Sequence, residues 1–565
     1  MLPAAWIFTG LLSLVTSAGN PLAAGPKPKP GDLRIEGATV YEAPPWSPHH
    51  ASIVLRDGRV MFVGDPDRAR ELSSGASVLA FPGAFIFPGW ADAHGHLAGL
   101  GKALETADLR SATDAADAAR RIAAVARRLP AGAWAEGRGW DQNHWAGGRY
   151  PDASDLDAAV SDRPVAARRV DGHAIWANGV ALARAGVSAS TPDPTGGRIL
   201  RRPDGSPSGV LVDNAMQLVD KAMPATTAAD FERQILAASR ACARVGLTQV
   251  QDASGYPPAD VASLEKLAAA GSLPIRIYAT VSPKPADLDA AFARGVRIGA
   301  GQDFLTVRAI KAYADGALGS RGAALLADYA DEPGNRGLLV TAPERLAEIA
   351  VAARRKGWQL WVHAIGARGN RNALDAFAAG ETATPQSPAG GDRPRVEHAQ
   401  VVSEADVPRF AREGVIASVQ PTHATSDMGW AEKRLGSERI RGAYAWRTLV
   451  SAGARLAGGS DFPVESENPL EGFHAAITRQ DREGNPPGGW RPQERLTRAE
   501  ALSLFTTDAA YAAFEEDRRG RIAPGFEADL TIFAADPMAA PADQILSIRT
   551  LATIVGGKLV SGDAR

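Results

Sequence analysis

Apolar runs and the polar residues that end them organise this chain. Across residues 343–379 the period changes twice: Leu346, Ile349, Ala350 and Ala353 share a helical face, 358–362 is an apolar run broken only by Gln359, and helical spacing resumes from Ala367. His363 closes the apolar run. The unit recurs at 395–398, which ends on His398 and precedes Ser403-Glu404-Ala405-Asp406, the pattern of a capping box at a helix start. It recurs again at 414–419, ending in Gln420-Pro421 with Thr422 and His423 beyond, and at 454–457, followed by Gly458-Gly459-Ser460-Asp461. Upstream, 304–312 alternates, with Leu305, Val307, Ala309 and Lys311 on one face. Strands alternating with helices predict a parallel sheet. Polar residues at successive strand ends predict an α/β fold of the (β/α)8, TIM-like barrel type with its site on that face.

The two chain ends read differently. Short β-type runs cover 32–40, 51–56, 59–64 and 77–81, with the hairpin signal Asp57-Gly58 between two of them. Runs at 528–534, 548–555 and 558–561 repeat the style, the last two joined by Gly556-Gly557. These predict a small β-sandwich domain built from both ends, 32–84 and 516–565, clamping a barrel over 85–515 with an insertion at about 134–235. Where the first segment meets the barrel stands Phe87-Pro-Gly-Trp-Ala-Asp-Ala-His-Gly-His-Leu97: an apolar run, 84–87, stopped by Pro88-Gly89, then Asp92, His94 and His96. In an extended segment His94 and His96 project to one side, with Gly95 leaving room between them, and form a ligand pair for a metal suited to nitrogen donors.

Composition narrows the function. The 62 Lys and Arg against 64 Asp and Glu give no bulk charge for nucleic acid or an anionic surface. The single cysteine, Cys242, excludes an internal disulfide framework and a cysteine metal cluster, and falls in an apolar helix where it packs. Residues 4–15 are apolar, uncharged and too short to span a bilayer, with small residues after them, which predicts a signal peptide over 1–24, a Pro/Gly/Lys linker over 25–31, and an exported, periplasmic or secreted protein with no stable membrane span after cleavage. The n-region carries no Lys or Arg, so a start codon placed elsewhere is the competing reading.

Lys311 ends an apolar face and admits two readings. Its ammonium snorkels or pairs with an acid such as Asp315, or its neutral amine is carbamylated by CO2 and becomes an anionic ligand. The ordered phrases GRGWDQNHW (137–145), DGHAIWAN (171–178), KAYADGALGSRGAAL (311–325), VHAIGARG, VEHAQ and GGSDFPVE, with HxH after the first strand, single histidines after two later ones and an aspartate after the last, resemble the amidohydrolase superfamily, in the branch that includes N-substituted formamide deformylases. The resemblance spans roughly residues 33 to 563. It implies that His94 and His96 hold one metal, His363 and His398 a second, carboxylated Lys311 bridges them, and Asp461 is both ligand and base. The implied cofactor is Zn2+, two ions, with a one-metal site or another divalent metal as alternatives.

Other positions are read beside ordinary packing. His173, after the apolar run 165–167, either donates to a substrate carbonyl as a catalytic oxyanion stabiliser or packs as a core histidine. Trp140 and Asp141 are assigned to the substrate pocket wall, Arg321 to an acidic substrate group and His423 to the rim, each against an ordinary packing role. His49, His50, His144 and His474 belong to no constellation and are expected at the surface. The expected function is hydrolysis of an amide or related non-peptide C–N bond of a small molecule, with a homodimer as an admissible assembly. An esterase or lactonase on the same metal site, and a non-catalytic binding or regulatory protein retaining the fold, are the alternatives.

Overall fold

The computed structural model describes residues 32–386 and 391–563. The expected signal peptide and linker lie outside these residues. No described helix is long and apolar enough to cross a membrane.

The main sheet carries eight parallel strands: β1 (Trp90–Gly95), β2 (Leu247–Tyr256), β3 (Arg276–Val281), β4 (Leu305–Tyr313), β5 (Gln359–Ala364), β6 (Arg395–His398), β7 (Ile416–Val419) and β8 (Arg455–Gly458), hydrogen-bonded in that order. A short strand, Arg297–Gly299, adds antiparallel to β4. Every residue of β1, β3, β5, β6 and β7 is buried, because both faces are covered, and such strands read as apolar runs rather than alternations. Helices Pro343–Arg355 and Ala367–Ala383 flank β5 as their periodicity predicts. After β6 the helix starts at Val407, and Ser403 donates its hydroxyl to Asp406 (2.6 Å) instead of capping a helix at 403.

β8 and β1 nearly close the sheet, without a strand ladder: the Asp461 N–H, just past β8, donates to His94 O (2.6 Å). Other segments take up the rest of that edge, Phe505 O accepting from the Ala91 N–H (2.8 Å) and Asp529 O from the Gly89 N–H (2.7 Å). Two glycines permit this approach. A β-carbon on Gly459 would lie 2.4 Å from His94 N, and one on Gly95 would lie 2.4 Å from the Phe462 ring.

Both chain ends do build one unit, a single connected eight-stranded sheet; a two-layered sandwich is not confirmed. Its hairpins turn at Asp57-Gly58 (φ +52° and +77°) and Gly556-Gly557 (φ +55° and +74°), as the turn residues predict. Phe85–Pro88 lies in this sheet, parallel to Leu33–Tyr41 and antiparallel to Leu530–Phe533, and the chain crosses at Gly89 into β1. The HxH pair therefore ends the strand after the one expected to carry it. Arg276, at the start of β3, ties barrel to end sheet through Asp529 (2.7 Å) and Glu527 (2.9 Å).

A third sheet of six strands runs from Ala107–Asp108 to Pro207–Asp213. It starts upstream of the expected insertion. Helix Ala228–Arg244, at the other end of that span, packs Phe231, Ile235 and Cys242 into the main core.

Candidate metal centre

The C-terminal ends of the barrel strands converge. β1 supplies His94 and, one residue on, His96; β4 supplies Lys311, β5 His363 and β6 His398; His423 follows β7 and Asp461 follows β8. Asp461 stands at the middle. Its Oδ1 is 2.9 Å from His96 Nε2 and 3.4 Å from His94 Nε2, and its Oδ2 is 3.3 Å from His423 Nε2. Both Asp461 (φ +60°) and His398 (φ +76°) hold left-handed backbone, a strain of about 1–3 kcal/mol per residue that persists where the surroundings fix it.

A buried chain of charges holds His94. Its Nδ1 meets Glu397, which accepts from Arg395 Nε at 2.8 Å, and Arg395 also donates to Ala93 O and Ser418 Oγ and lies over the Trp361 ring. A carboxylate on Nδ1 fixes the tautomer that leaves Nε2 free as a ligand. Burial opposes ionisation of Glu397, but Arg395 and His94 outweigh it and hold the carboxyl below its usual range. Asp92 supports the same strand end, accepting from the His94 N–H (2.9 Å) and the Ser460 hydroxyl (2.6 Å). His398 is held through Nδ1 by Gln420 Oε1 (2.7 Å).

Burial pushes the His363 and His398 imidazoles well below their usual pKa, and neighbouring cationic groups add to it, so both rings are neutral donors. Burial also brings the Lys311 ammonium down to about 8, against the pull of Glu397 and Asp461. Its Nζ lies 3.5 Å from His94 Nε2 and 5.0 Å over the Tyr313 ring. It does not pair with Asp315, whose carboxylate instead accepts backbone N–H groups of Ala324, Ile365 and Gly366. For Asp461, burial is outweighed by the imidazoles of His423, His94 and His96 close beside it, and the carboxyl is held well below its usual range.

These residues fit a metal. His94, His96 and Asp461 form one group of donor atoms within 4.8 Å of one another, and His398, His423 and Asp461 form another. Asp461 Oδ1 is buried and lacks a hydrogen bond of acceptable geometry despite the near ring nitrogens. Donors about 2.0–2.1 Å from a tetrahedral ion sit roughly 3.3 Å from one another, close to the separations found. His423, expected at the rim, lies within the second group beside His398, and His363, expected there, lies outside it. The His363 ring lies alongside, 4.6 Å from that of His398, with Nε2 3.4 Å from Gly316 O.

A cavity of about 750 Å³ opens over the centre. Its barrel side is lined by His363, His398, His423, Asp461 and Glu465; the six-stranded sheet closes the other side with Asp141, Arg169, Asp171 and His173. His173 places its ring 5.0 Å from that of His363. Trp140 does not reach the cavity: it is fully buried in the core of the six-stranded sheet, its Nε1 donating to Ala167 O (2.8 Å). Arg321 is occupied by Asp331 (3.0 Å) and Glu332 (3.2 Å) and lines no part of it. His144 does line the outer part, while His474, expected at the surface, is buried.

Sequence reasoning missed Glu397, Glu465 and Asp213. For Glu397 a signal existed: Arg395 and Glu397 stand two apart on one face of a short strand, the spacing of an internal ion pair.

A sequence profile of the amidohydrolase family matches residues 82–561. The chain is 34% identical to YtcJ of Bacillus subtilis, over 90% of this chain and 95% of YtcJ. It is 27% identical to the N-substituted formamide deformylase of Arthrobacter pascens, over 94% and 98% of the two chains. An uncharacterized metal-dependent hydrolase from Pyrococcus horikoshii superimposes with a TM-score of 0.73 at 27% identity, covering 91% of this chain and 99% of that one. With its barrel, its converging histidines and this match along nearly all of its length, the chain belongs to the amidohydrolase family.

Proposed function

We propose that this protein hydrolyses an amide or related non-peptide C–N bond of a small molecule, at a centre for two Zn2+ ions. The observation that carries the reading is Asp461, one carboxylate reaching both donor groups on strained backbone. His94, His96 and Asp461 would hold one ion, and His398 and His423 with Asp461 the other. Lys311, in its carboxylated form, would lie between them, and a buried amine brought down to about 8 has the neutral fraction that attack on CO2 requires. Zn2+ in such a site polarises a carbonyl and makes water acidic enough to attack near neutral pH.

The chain's own groups supply the rest. Asp461 is ionised, and takes the proton of the attacking water and passes it to the leaving nitrogen. His173, across the cavity from Asp461, donates to the carbonyl oxygen as negative charge develops on it. The six-stranded sheet lines the cavity opposite the centre and so bounds the space that a substrate would fill. The likeness to an N-substituted formamide deformylase supports the C–N bond over an ester. The experiment is elemental analysis of the purified protein followed by a panel of N-alkyl and N-aryl formamides read by formate release. Bound zinc with chelator-sensitive release is expected; metal-free protein, or activity indifferent to chelators, refutes the reading.

A further inference from the structure

His173 would serve in the reaction proposed above only if its ring is held, and a second residue from the insertion holds it. Asp213 ends the strand Pro207–Asp213, which pairs antiparallel with Ala174–Ala177. Its N–H donates to His173 O (2.9 Å) and its Oδ1 lies 2.7 Å from His173 Nδ1. Backbone and side chain of one residue therefore grip backbone and side chain of the other.

Three independent features show that the fold accommodates this carboxylate at a disadvantage to stability. Asp213 has φ +50° and ψ −125°, a region that side chains other than glycine rarely adopt, worth about 1–3 kcal/mol of strain. Its Oδ2 is buried without a hydrogen-bond partner, so His173 is the main polar group satisfying the side chain. The barrel loop after β4 is cut away to admit it: a β-carbon on Gly316 would lie 2.6 Å, and on Gly322 2.5 Å, from Asp213 Oδ2. A buried, under-satisfied carboxylate on strained backbone, fitted by glycines of another sheet, is a local conflict of the kind that function retains.

We propose that Asp213 is the positioning residue for His173, accepting a hydrogen bond from Nδ1–H so that the ring, carrying a proton on each nitrogen, presents Nε2–H to the cavity beside His363. With Nδ1 engaged, the ring has one free nitrogen, and it lines the cavity over the donor groups. This rests on the hydrolase reading for its purpose but not for its geometry.

The test separates the two. Asp213→Asn keeps the size and tolerates positive φ while removing the carboxylate. In protein labelled with 15N-histidine, the ring correlations of His173, assigned by their loss in His173→Asn, should show protons on both ring nitrogens in the wild type and a changed pattern in Asp213→Asn. No substrate is needed for that arm. On a formamide that the wild type turns over, Asp213→Asn should lower kcat about 10- to 100-fold with KM within about threefold, and should add less than about twofold in a His173→Asn background. Asp213→Gly, which relieves the backbone strain, should match or exceed the wild-type melting temperature yet show the same kcat loss. Unchanged His173 ring correlations in Asp213→Asn, or losses that multiply in the double variant, overturn the proposal. A wild type that turns over no formamide counts against the hydrolase reading, and the ring correlations still decide the assignment of Asp213.

Discussion

Asp461 separates chemistry from binding more sharply than any other residue. Asp461→Asn retains one ligand oxygen and loses the base, so kcat should fall by about 10^2 to 10^4-fold while substrate still binds; a loss within about threefold in steady-state assays would contradict the role. Lys311→Ala should lose metal by elemental analysis, with partial rescue of activity by a small carboxylic acid. Because the amine is protonated below about 8, metal reconstitution in bicarbonate should recover more activity above that pH than below it. Glu397→Gln removes the charge behind His94, and metal affinity by competition with a chelator should drop about 10- to 100-fold. His94, His96, His398 and Asp461 were legible in the sequence because each stands at or just past the end of a strand, whereas His423, four residues beyond its strand, was read only as a rim residue. Their supports were not: Glu397 meets His94 across 303 residues, Glu465 meets His423 across 42 and Asp213 meets His173 across 40, and periodicity does not register such distances.

At the scale of elements, β4 to β8 lie within a residue or two of their expected positions, since strands buried on both faces have few polar positions to blur them. The hairpins were equally plain, because positive φ demands Gly or a short polar residue. The boundaries of the insertion were not legible: its strands, such as Val165–Arg169 and Ala174–Ala177, carry the same small apolar residues as the barrel's, and only pairing assigns them to another sheet. The passage from Phe85–Pro88 into β1 was missed for a similar reason. Two short strands in one apolar run are told apart by Gly89 alone, whose N–H goes to Asp529. The seam between β1 and β8 gives a test. Gly459→Ala forces a methyl against the His94 backbone, and overpacking of that kind should lower stability by about 1–3 kcal/mol in thermal melts and reduce bound metal with it.

For the whole molecule, the end sheet was readable as a unit made from both termini, but not its attachment, which depends on ionic contacts between distant segments. Burial opposes ionisation of Asp529, and Arg276 outweighs it, holding the carboxyl below its ordinary 3.8. A depressed carboxylate contributes stability that is present above its unfolded value and lost as pH falls through the folded one. Arg276→Met removes the nearest cationic partner of buried Asp529, leaving it Arg519 at 3.6 Å, and one of the two partners of Glu527, and should cost about 3 kcal/mol near neutral pH. Melts between about pH 3 and 7 should show the variant's deficit shrinking toward the acid end, as Asp529 protonates; a deficit that grows there would contradict the assignment. The seam has one more consequence, in time. Everything that covers the free edge of β1 comes late in the chain, and Ser460 reaches back to Asp92 across 368 residues. At about 5–20 residues per second, the ribosome needs roughly 20 to 70 s to make that span. Throughout that interval the nascent chain carries its histidine strand with an unmated edge, the kind of surface that recruits chaperones or other nascent chains.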